Sequence, residues 1–363
     1  MVNTVISKYI ARSFLFSISI TLATFASIIF IGDMVEYSKK LSSNNSLHVG
    51  LLIQLCFLNL PKMLLEIMPF AILFAGLLWT IKIKGYKELQ VMRTTGISLL
   101  QVCLPLCLVT ILIGIMFIIT FSPIISATQK KIQKIESEKL NKPLTSILVS
   151  NSGFWLKQGN KNGSDIIYAK RLDARSLSLF NVLIFRFNEN YEVQERITAE
   201  SSELIKDHWL LKDLSSTDKL GETKKQSFMK LPTYITNSQI KEGFSSPETV
   251  SIWNLLPFIK MFDKAGFSTK KHRLYLYKLI IFPLYLSGMA LLGVSFNMQD
   301  LSRKSSNIRV LSGTIVGFII FYLTKIIGAL AISGKISLFF SSLIPALIPI
   351  MLGISIILYA NEN

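Results

Sequence analysis

Three lysines stand where an apolar sequence rarely places a charge, and they are the residues that an anionic ligand could use. Lys325 lies inside a long apolar run, about two helical turns from its end. A cation within a membrane is costly and therefore commonly faces a bundle interior or a water-filled cavity. Alternatively, the stem of Lys325 lies along apolar surface and its ammonium reaches the membrane interface. Both interpretations hold together if the cavity opens at that interface.

The other two lysines, Lys39 and Lys40, follow the first apolar run. At the level of lipid headgroups, such a flexible basic pair can hold phosphates as point charges. An ordinary interfacial anchor is the alternative. At the start of the second apolar run, Lys62 and Glu66 are one helical turn apart, and a pair in which they neutralise each other would be structural. The candidate ligand-binding residues are thus Lys39, Lys40 and Lys325.

Motifs for catalysis are absent from the sequence. The nearest match to a phosphate-binding loop, 328–335, has its glycines one residue too far apart, and its lysine is followed by Ile instead of Ser or Thr. The three histidines form no H-E-x-x-H motif, and no apolar run contains a pair of carboxylates. We predict a chain that is not an enzyme and has no catalytic residue, metal site or cofactor of its own.

A short amphipathic helix is predicted over 84–97, ended by Gly96. Such a helix can dock in a groove of a partner protein, or it can simply lie on the membrane surface. Its residues at helical spacing are Tyr86, Leu89, Met92 and Arg93.

The elements that position these residues are membrane helices. Half of the 363 residues are apolar, which is rare for a soluble chain of this size. The net charge of +17 would suggest nucleic acid in a soluble protein, but no nucleic-acid motif is present, and we assign the charge to membrane flanks facing anionic lipid. Six runs can each cross ~30 Å of hydrocarbon. They are 13–32, 64–83, 98–122, 279–299, 310–333 and 336–360.

Basic residues orient these spans. Because basic residues accumulate in cytoplasmic loops, the loops after the second and fourth spans are predicted to be cytoplasmic, as are both termini. The uncharged run 49–61 is too short to cross, so we predict an interfacial lead-in to the second span, broken by Pro61. The basic residues of the two loops are Lys82, Lys84, Lys87, Arg93, Arg303, Lys304 and Arg309.

Between residues 125 and 273 the composition becomes polar, which predicts a separate β-rich domain on the far side of the membrane. The strand spacing suggests a sandwich, a jelly roll or an open barrel. An amphipathic helix over 247–266 leads back to the membrane. The predicted strands are 153–157, 165–170, 177–186, 191–204, 209–213 and 225–231.

Several short motifs occur in a characteristic order along the chain. They are Lys8-Tyr-Ile-Ala-Arg12, Asp33 with Lys39-Lys40, Pro61-Lys62, Pro69-Phe-Ala71, Glu88-Leu-Gln-Val-Met-Arg-Thr-Thr-Gly96, Gly153-Phe-Trp-Leu-Lys157, Ile167-Tyr-Ala169, and Tyr275, Lys278 and Pro283. In this order, and in the layout of three spans, insert and three spans, the chain resembles the LptF/LptG family of lipopolysaccharide export permeases, and its LptG branch more than its LptF branch. Lys325 departs from the family pattern.

The resemblance implies a membrane α-helical protein of six transmembrane helices with an inserted periplasmic β-jellyroll-like domain, in the bacterial inner membrane. It implies a heterodimer with an LptF-like permease, an LptB-like ATPase dimer that binds the ATP, and an LptC-like periplasmic protein. It also places Lys39 and Lys40 at the lipopolysaccharide phosphates. Glu88, with Tyr86, Leu89, Met92 and Arg93 around it, is placed in the helix that couples to the ATPase.

Three domains are expected: 1–129 with the coupling helix 84–97, the β-rich domain 130–265, and 266–363. Two other functions stay open at this point. One is the LptF paralogue of the same complex, which would share nearly every feature above. The other is an envelope scaffold whose insert holds a complex together without transport.

Overall fold

The computed structural model describes residues 4–42, 49–139, 146–150, 153–160, 163–173, 178–188, 192–205, 208–218, 221–233, 246–264, 268–298 and 306–362. The chain forms two compact units. The first comprises Met1–Ile132, Glu248–Ile252 and Arg273–Asn363, and the second comprises Gln133–Pro247 and Trp253–His272. The chain passes between the units after residues 132, 247, 252 and 272.

The first unit is a helix bundle. Within the described residues, six helices are long and apolar enough to cross a membrane, which confirms the predicted number of spans. They are α1, α2, α4, α6, α7 and α8. Among the described residues, the helices in chain order are α1 (Thr4–Ser42), α2 (Val49–Gly85), α3 (Glu88–Thr94), α4 (Leu99–Lys139), α5 (Ile252–Lys264), α6 (Lys270–Met298), α7 (Ser306–Ile332) and α8 (Leu338–Glu362).

Helix α2 corrects one prediction, because it runs without interruption from Val49 to Gly85. The expected separate lead-in over 49–61, broken by Pro61, is wrong. Proline removes one backbone donor, but packed neighbouring helices compensate for that loss in a membrane helix. Burial stabilises the first turns of α2, since Leu55 and Cys56 are fully buried. At 37 residues, α2 is about 55 Å long and exceeds the hydrocarbon thickness.

Helices α2 and α6 are the most buried of the six, and α1 and α7 are among the most exposed. The two central helices touch so closely that a Cβ on Gly293 would lie 2.3 Å from the carbonyl oxygen of Leu73. Polar side chains join α1, α2 and α4: Asn59 donates to buried Asp33 at 2.9 Å, and Gln129 donates to Asn59 at 3.4 Å. A polar group in a bundle interior needs such partners because no water is available there.

The described strands of the second unit form a seven-stranded antiparallel sheet in which the strands follow chain order. Each of the six predicted strands lies on an observed one, and β1 was not predicted. The strands are β1 (Ser146–Ser150), β2 (Gly153–Asn160), β3 (Gly163–Asp173), β4 (Ser178–Phe187), β5 (Val193–Ile205), β6 (His208–Asp218) and β7 (Thr223–Pro232). The predicted fold class, a six-helix membrane protein with an inserted sheet domain, is confirmed.

The sheet curls around its own core. Gln158 of β2 donates to the carbonyl of Pro232 at the end of β7, at 3.0 Å. Inward-facing Trp209 and Leu211 are buried, and Phe262 of α5 packs against the same cluster. This sequential order is an up-and-down meander, so among the described strands the Greek-key connections of a jelly roll are not found.

Candidate functional site

A cavity of about 210 Å³ opens among α2, α6, α7 and α8. Its walls are mostly apolar, but ionisable groups from four segments reach it. Three are ammonium groups and two are carboxylates, so the charged lining carries a net positive charge. A cavity of this kind suits an amphiphilic anion, because apolar walls accept hydrocarbon while ammonium groups bind phosphate or carboxylate. The ionisable lining residues are Lys62, Glu66, Glu248, Tyr275, Lys278 and Lys325.

Lys325 faces this cavity and does not stand alone there. Its Nζ lies 2.8 Å from Oε2 of Glu66, and the two side chains are 53% and 41% exposed. The expectation that Glu66 would pair with its helical neighbour Lys62 is replaced by a pair between two helices. Lys325 lies seven residues before the end of α7 at Ile332, two helical turns as predicted.

Close packing between α2 and α7 sets the register that brings this pair together. A Cβ on Gly313 would lie 3.0 Å from a methyl of Leu77, and one on Gly317 would lie 2.8 Å from a methyl of Leu73. The two helices are therefore antiparallel neighbours that approach each other through small residues, as membrane helices commonly do. Two further turns along the same register, Lys325 meets Glu66.

Lys278 is the functional candidate that sequence reasoning missed as a site residue. It is half-buried on α6 and lines the cavity beside Tyr275. A Cβ on Gly328 would lie 3.2 Å from its Nζ, so the absence of a side chain at that position leaves room for the ammonium. The available signal was a lysine at the very start of an apolar run, which alone does not separate a cavity residue from an interfacial anchor.

Lys39 and Lys40 lie elsewhere. Both are exposed near the end of α1, and neither is among the residues that line the cavity. Lys40 forms an ion pair with Glu36 and stands 5.1 Å from the ring centre of Tyr37. The structure of this chain therefore does not bring the three candidate lysines into one site, and a ligand that reached all three would have to extend along the surface.

The predicted helix over 84–97 is shorter in the structure. Residue 84 still belongs to α2, Lys87 turns the chain with a φ of 58°, and α3 covers only Glu88–Thr94. Gly96 ends it as predicted, with a φ of +82°. The N–H groups of Gly96 and Ile97 donate to the carbonyls of Arg93 and Met92, which is the Schellman pattern.

The residues predicted to couple this helix to a partner divide between two faces. Leu89 and Met92 are 2% and 9% exposed and pack into the core of the bundle. Tyr86 and Arg93 are exposed and accessible, and so is Val91, which sequence reasoning did not select. Glu88 is partly buried, and the hydroxyl of Tyr9 on α1 donates to its Oε1 at 2.9 Å.

The sequence profile of the family described as "Lipopolysaccharide export system permease LptF/LptG" matches residues 8–360. The chain belongs to this family. It is similar to the lipopolysaccharide export system permease protein LptG of Escherichia coli K12, with 24% identity over 367 residues and 94% of each chain covered. It is also similar to the LptG of Haemophilus influenzae Rd, with 23% identity over 371 residues and 97% of each chain covered. The predicted resemblance is confirmed.

Motif residues of the LptF/LptG family occur both at the cavity and in α3. Three of these residues, Lys62, Tyr275 and Lys278, line the cavity. The motif from Glu88 to Gly96 contains α3 and the glycine that ends it. Glu66 and Lys325 were not among those residues. In this member of the LptF/LptG family, the cavity thus combines motif positions with an ion pair outside the motifs.

Proposed function

We propose that this chain is an LptG-type permease subunit of an ABC transporter, which extracts lipopolysaccharide from a bacterial inner membrane and passes it to a periplasmic bridge. The observation that supports this most is the cation-lined cavity among the membrane helices. Lipopolysaccharide joins phosphates to acyl chains, and the cavity joins ammonium groups to apolar walls. The names of the relatives, both LptG, favour this branch over LptF.

The size of the cavity sets how the lipid would be held. About 210 Å³ accommodates a phosphate and the atoms next to it, but not a lipid with several acyl chains. The chains would lie outside, along the exposed apolar faces of α1 and α7. Lys325 would exchange Glu66 for a lipid phosphate, and Lys39 and Lys40 would hold a second anionic group. Exchange is feasible because the Lys325–Glu66 pair is half-exposed and therefore weak.

Energy would come from outside the chain. ATP would be bound by an LptB-like ATPase dimer that docks at α3, which puts α3 and both termini in the cytoplasm and the sheet domain in the periplasm. An LptF-like permease would complete the membrane dimer, and an LptC-like protein would receive the lipid. The loop basic residues support this orientation, because such residues accumulate on the cytoplasmic side.

Site-specific photocrosslinking in living cells tests the lipid contacts. A photoreactive residue replaces Lys39, Lys40 or Lys325 in turn, and Val91 on the exposed face of α3 serves as the matched control at the other end of the bundle. We expect lipopolysaccharide adducts at position 325 and at 39 or 40, and none at 91. Absence of adducts at all three lysine positions would remove them as lipid contacts.

A depletion experiment tests the function as a whole. Cells depleted of this chain should retain newly made lipopolysaccharide in the inner membrane, which pulse labelling followed by membrane fractionation measures. Continued delivery at the normal rate would instead support the scaffold alternative.

A further inference from the structure

Helix α5 exposes apolar side chains on the side opposite its buried face. Its buried residues, Leu255, Ile259 and Phe262, recur every three or four positions and therefore share one face. Trp253 and Leu256 are 62% and 49% exposed. At about 100° per residue, these two lie together on the other face of the helix. The helix is thus apolar on both sides near its beginning.

The exposed face becomes basic toward the end of the helix. Pro257 is exposed beside Leu256, and Lys260 is exposed one turn later on the same stripe. Asp263, the only acidic residue of α5, lies near the end of the helix and accepts a hydrogen bond from the Thr269 hydroxyl at 2.6 Å. The stripe therefore begins with apolar side chains and continues to an ammonium group.

The beginning of α5 is fastened to α4 close to where the uncharged part of α4 ends. The Ser122 hydroxyl accepts a hydrogen bond from the backbone N–H of Ile252 at 2.8 Å. The Ser126 hydroxyl donates to the carbonyl of Thr249 at 2.6 Å. From its first residue, α4 carries no charge before Lys130, so both serines lie within about the last two turns of the uncharged stretch. The beginning of α5 therefore lies at the edge of the membrane's apolar layer.

The position of Trp253 follows from this attachment, because it is the residue directly after Ile252. Tryptophan is enriched at the interface between membrane and water, where the indole ring contacts acyl chains and its N–H reaches polar groups. A lysine at the same depth can lay its stem along apolar surface and bring its ammonium to a lipid phosphate. The exposed side chains of α5 thus have the composition of an interfacial helix.

We propose that the stripe of Trp253, Leu256, Pro257 and Lys260 lies in the headgroup region of the bilayer and is covered by phospholipid, whatever cargo the permease carries. Helix α5 then has two apolar contacts, one with the core of the sheet through Phe262 and one with lipid. The attachment to α4 favours lipid as the occupant, because it holds the first turn of the stripe at the membrane.

Electron paramagnetic resonance measures the depth of the stripe. The complete chain, purified with the subunits that accompany it, is placed in nanodiscs of phosphatidylethanolamine and phosphatidylglycerol. The three native cysteines are changed to alanine, and a nitroxide is attached to a cysteine introduced at position 253, 256 or 260. Met116 on α4 is the control for lipid and Phe228 on β7 is the control for water, since they are 68% and 67% exposed.

The depth is given by the ratio of the label's accessibility to oxygen, which concentrates in lipid, to its accessibility to a water-soluble nickel chelate. We expect the ratio at 253 and 256 to lie well above that at 228 and at or below that at 116, with a lower ratio at 260 than at 256. Ratios at 253 and 256 equal to that at 228 would place the stripe in water and overturn the proposal. Low accessibility to both reagents would also overturn it, because a protein partner would then cover the stripe.

Native fluorescence provides a second readout that leaves the cysteines in place. Phospholipids brominated on their acyl chains quench indole rings that lie in the bilayer. Trp253→Phe should therefore remove part of the quenching seen in the unmodified chain. Trp155→Phe, at a 36% exposed position on β2, is the matched control and should not reduce it. Equal quenching in the unmodified chain and in Trp253→Phe would contradict contact between Trp253 and lipid.

Discussion

Glu66 lies within α2 and Glu88 begins α3, and each carboxylate meets a side chain from a distant helix. Their surroundings differ. Glu66 binds a cation, Lys325, at a half-exposed position beside further ammonium groups. Glu88 binds a neutral hydroxyl, and its second oxygen is buried. The same functional group thus forms an ion pair between two helices at one site and a hydrogen bond to an uncharged group at the other.

The two contacts differ in the charge of the partner more than in exposure. Water or a phosphate can replace either partner of an exposed ion pair, which contributes about 0–1 kcal/mol. Water can also replace the Tyr9 hydroxyl at Oε1 of Glu88, because Tyr9 is 48% exposed. An ammonium group freed from its carboxylate can bind an anion, whereas a tyrosine hydroxyl offers no charge.

The largest effect on stability is expected at the buried face of α3. Leu89→Ala removes a side chain that is 2% exposed, and truncation of a buried leucine costs about 2–5 kcal/mol. The exposed neighbour Val91, changed to Ala, should cost less than about 0.5 kcal/mol. Hydrogen exchange of the α3 amides measures the free energy of opening. Equal changes in this free energy for the two variants would mean that the buried face does not hold α3 in place.

A smaller effect is expected where packing sets the Lys325–Glu66 register. Gly317→Leu places bulk where even a Cβ would lie 2.8 Å from buried Leu73, and overpacking costs about 1–3 kcal/mol. Gly32→Leu, at a helical glycine with open space around it, is the control. Thermal unfolding of the two purified variants makes the comparison. If Gly317→Leu were as stable as its control, the close approach of α2 and α7 would not determine the register.

The smallest effect on stability is expected from Glu66→Gln. We expect a cost of about 0–1 kcal/mol, together with a higher yield of lipopolysaccharide crosslinks near Lys325, because the ammonium loses its competing carboxylate. Glu36→Gln, which breaks the exposed pair with Lys40 on a single helix, is the matched control for stability. A loss above about 2 kcal/mol would show that the Glu66 pair is structural and is not available for exchange with a ligand.

The membrane spans and the strands could be predicted from the sequence more easily than the residues that meet at the cavity. Charged residues lie at the ends of each apolar run, and apolar and polar residues alternate along the strands. Both features can therefore be recognised within about 10 to 20 consecutive residues. The pairing of Glu66 is different. The local rule of residues one turn apart favours Lys62, and the outcome depends on how closely α7 approaches α2. The uninterrupted course of α2 through Pro61 likewise depends on its burial by neighbouring helices.

By itself, the sequence determined the class of protein, the number of membrane helices, the place and β-rich character of the insert, and the family. Each of these follows from hydrophobicity, periodicity or a motif, which act over short stretches of chain. Only the tertiary structure decided that Lys325 meets Glu66, that Lys278 joins the same cavity, and that Glu88 faces Tyr9. These contacts join residues 47 to 259 positions apart, and their geometry comes from the packing of helices, which no local pattern encodes.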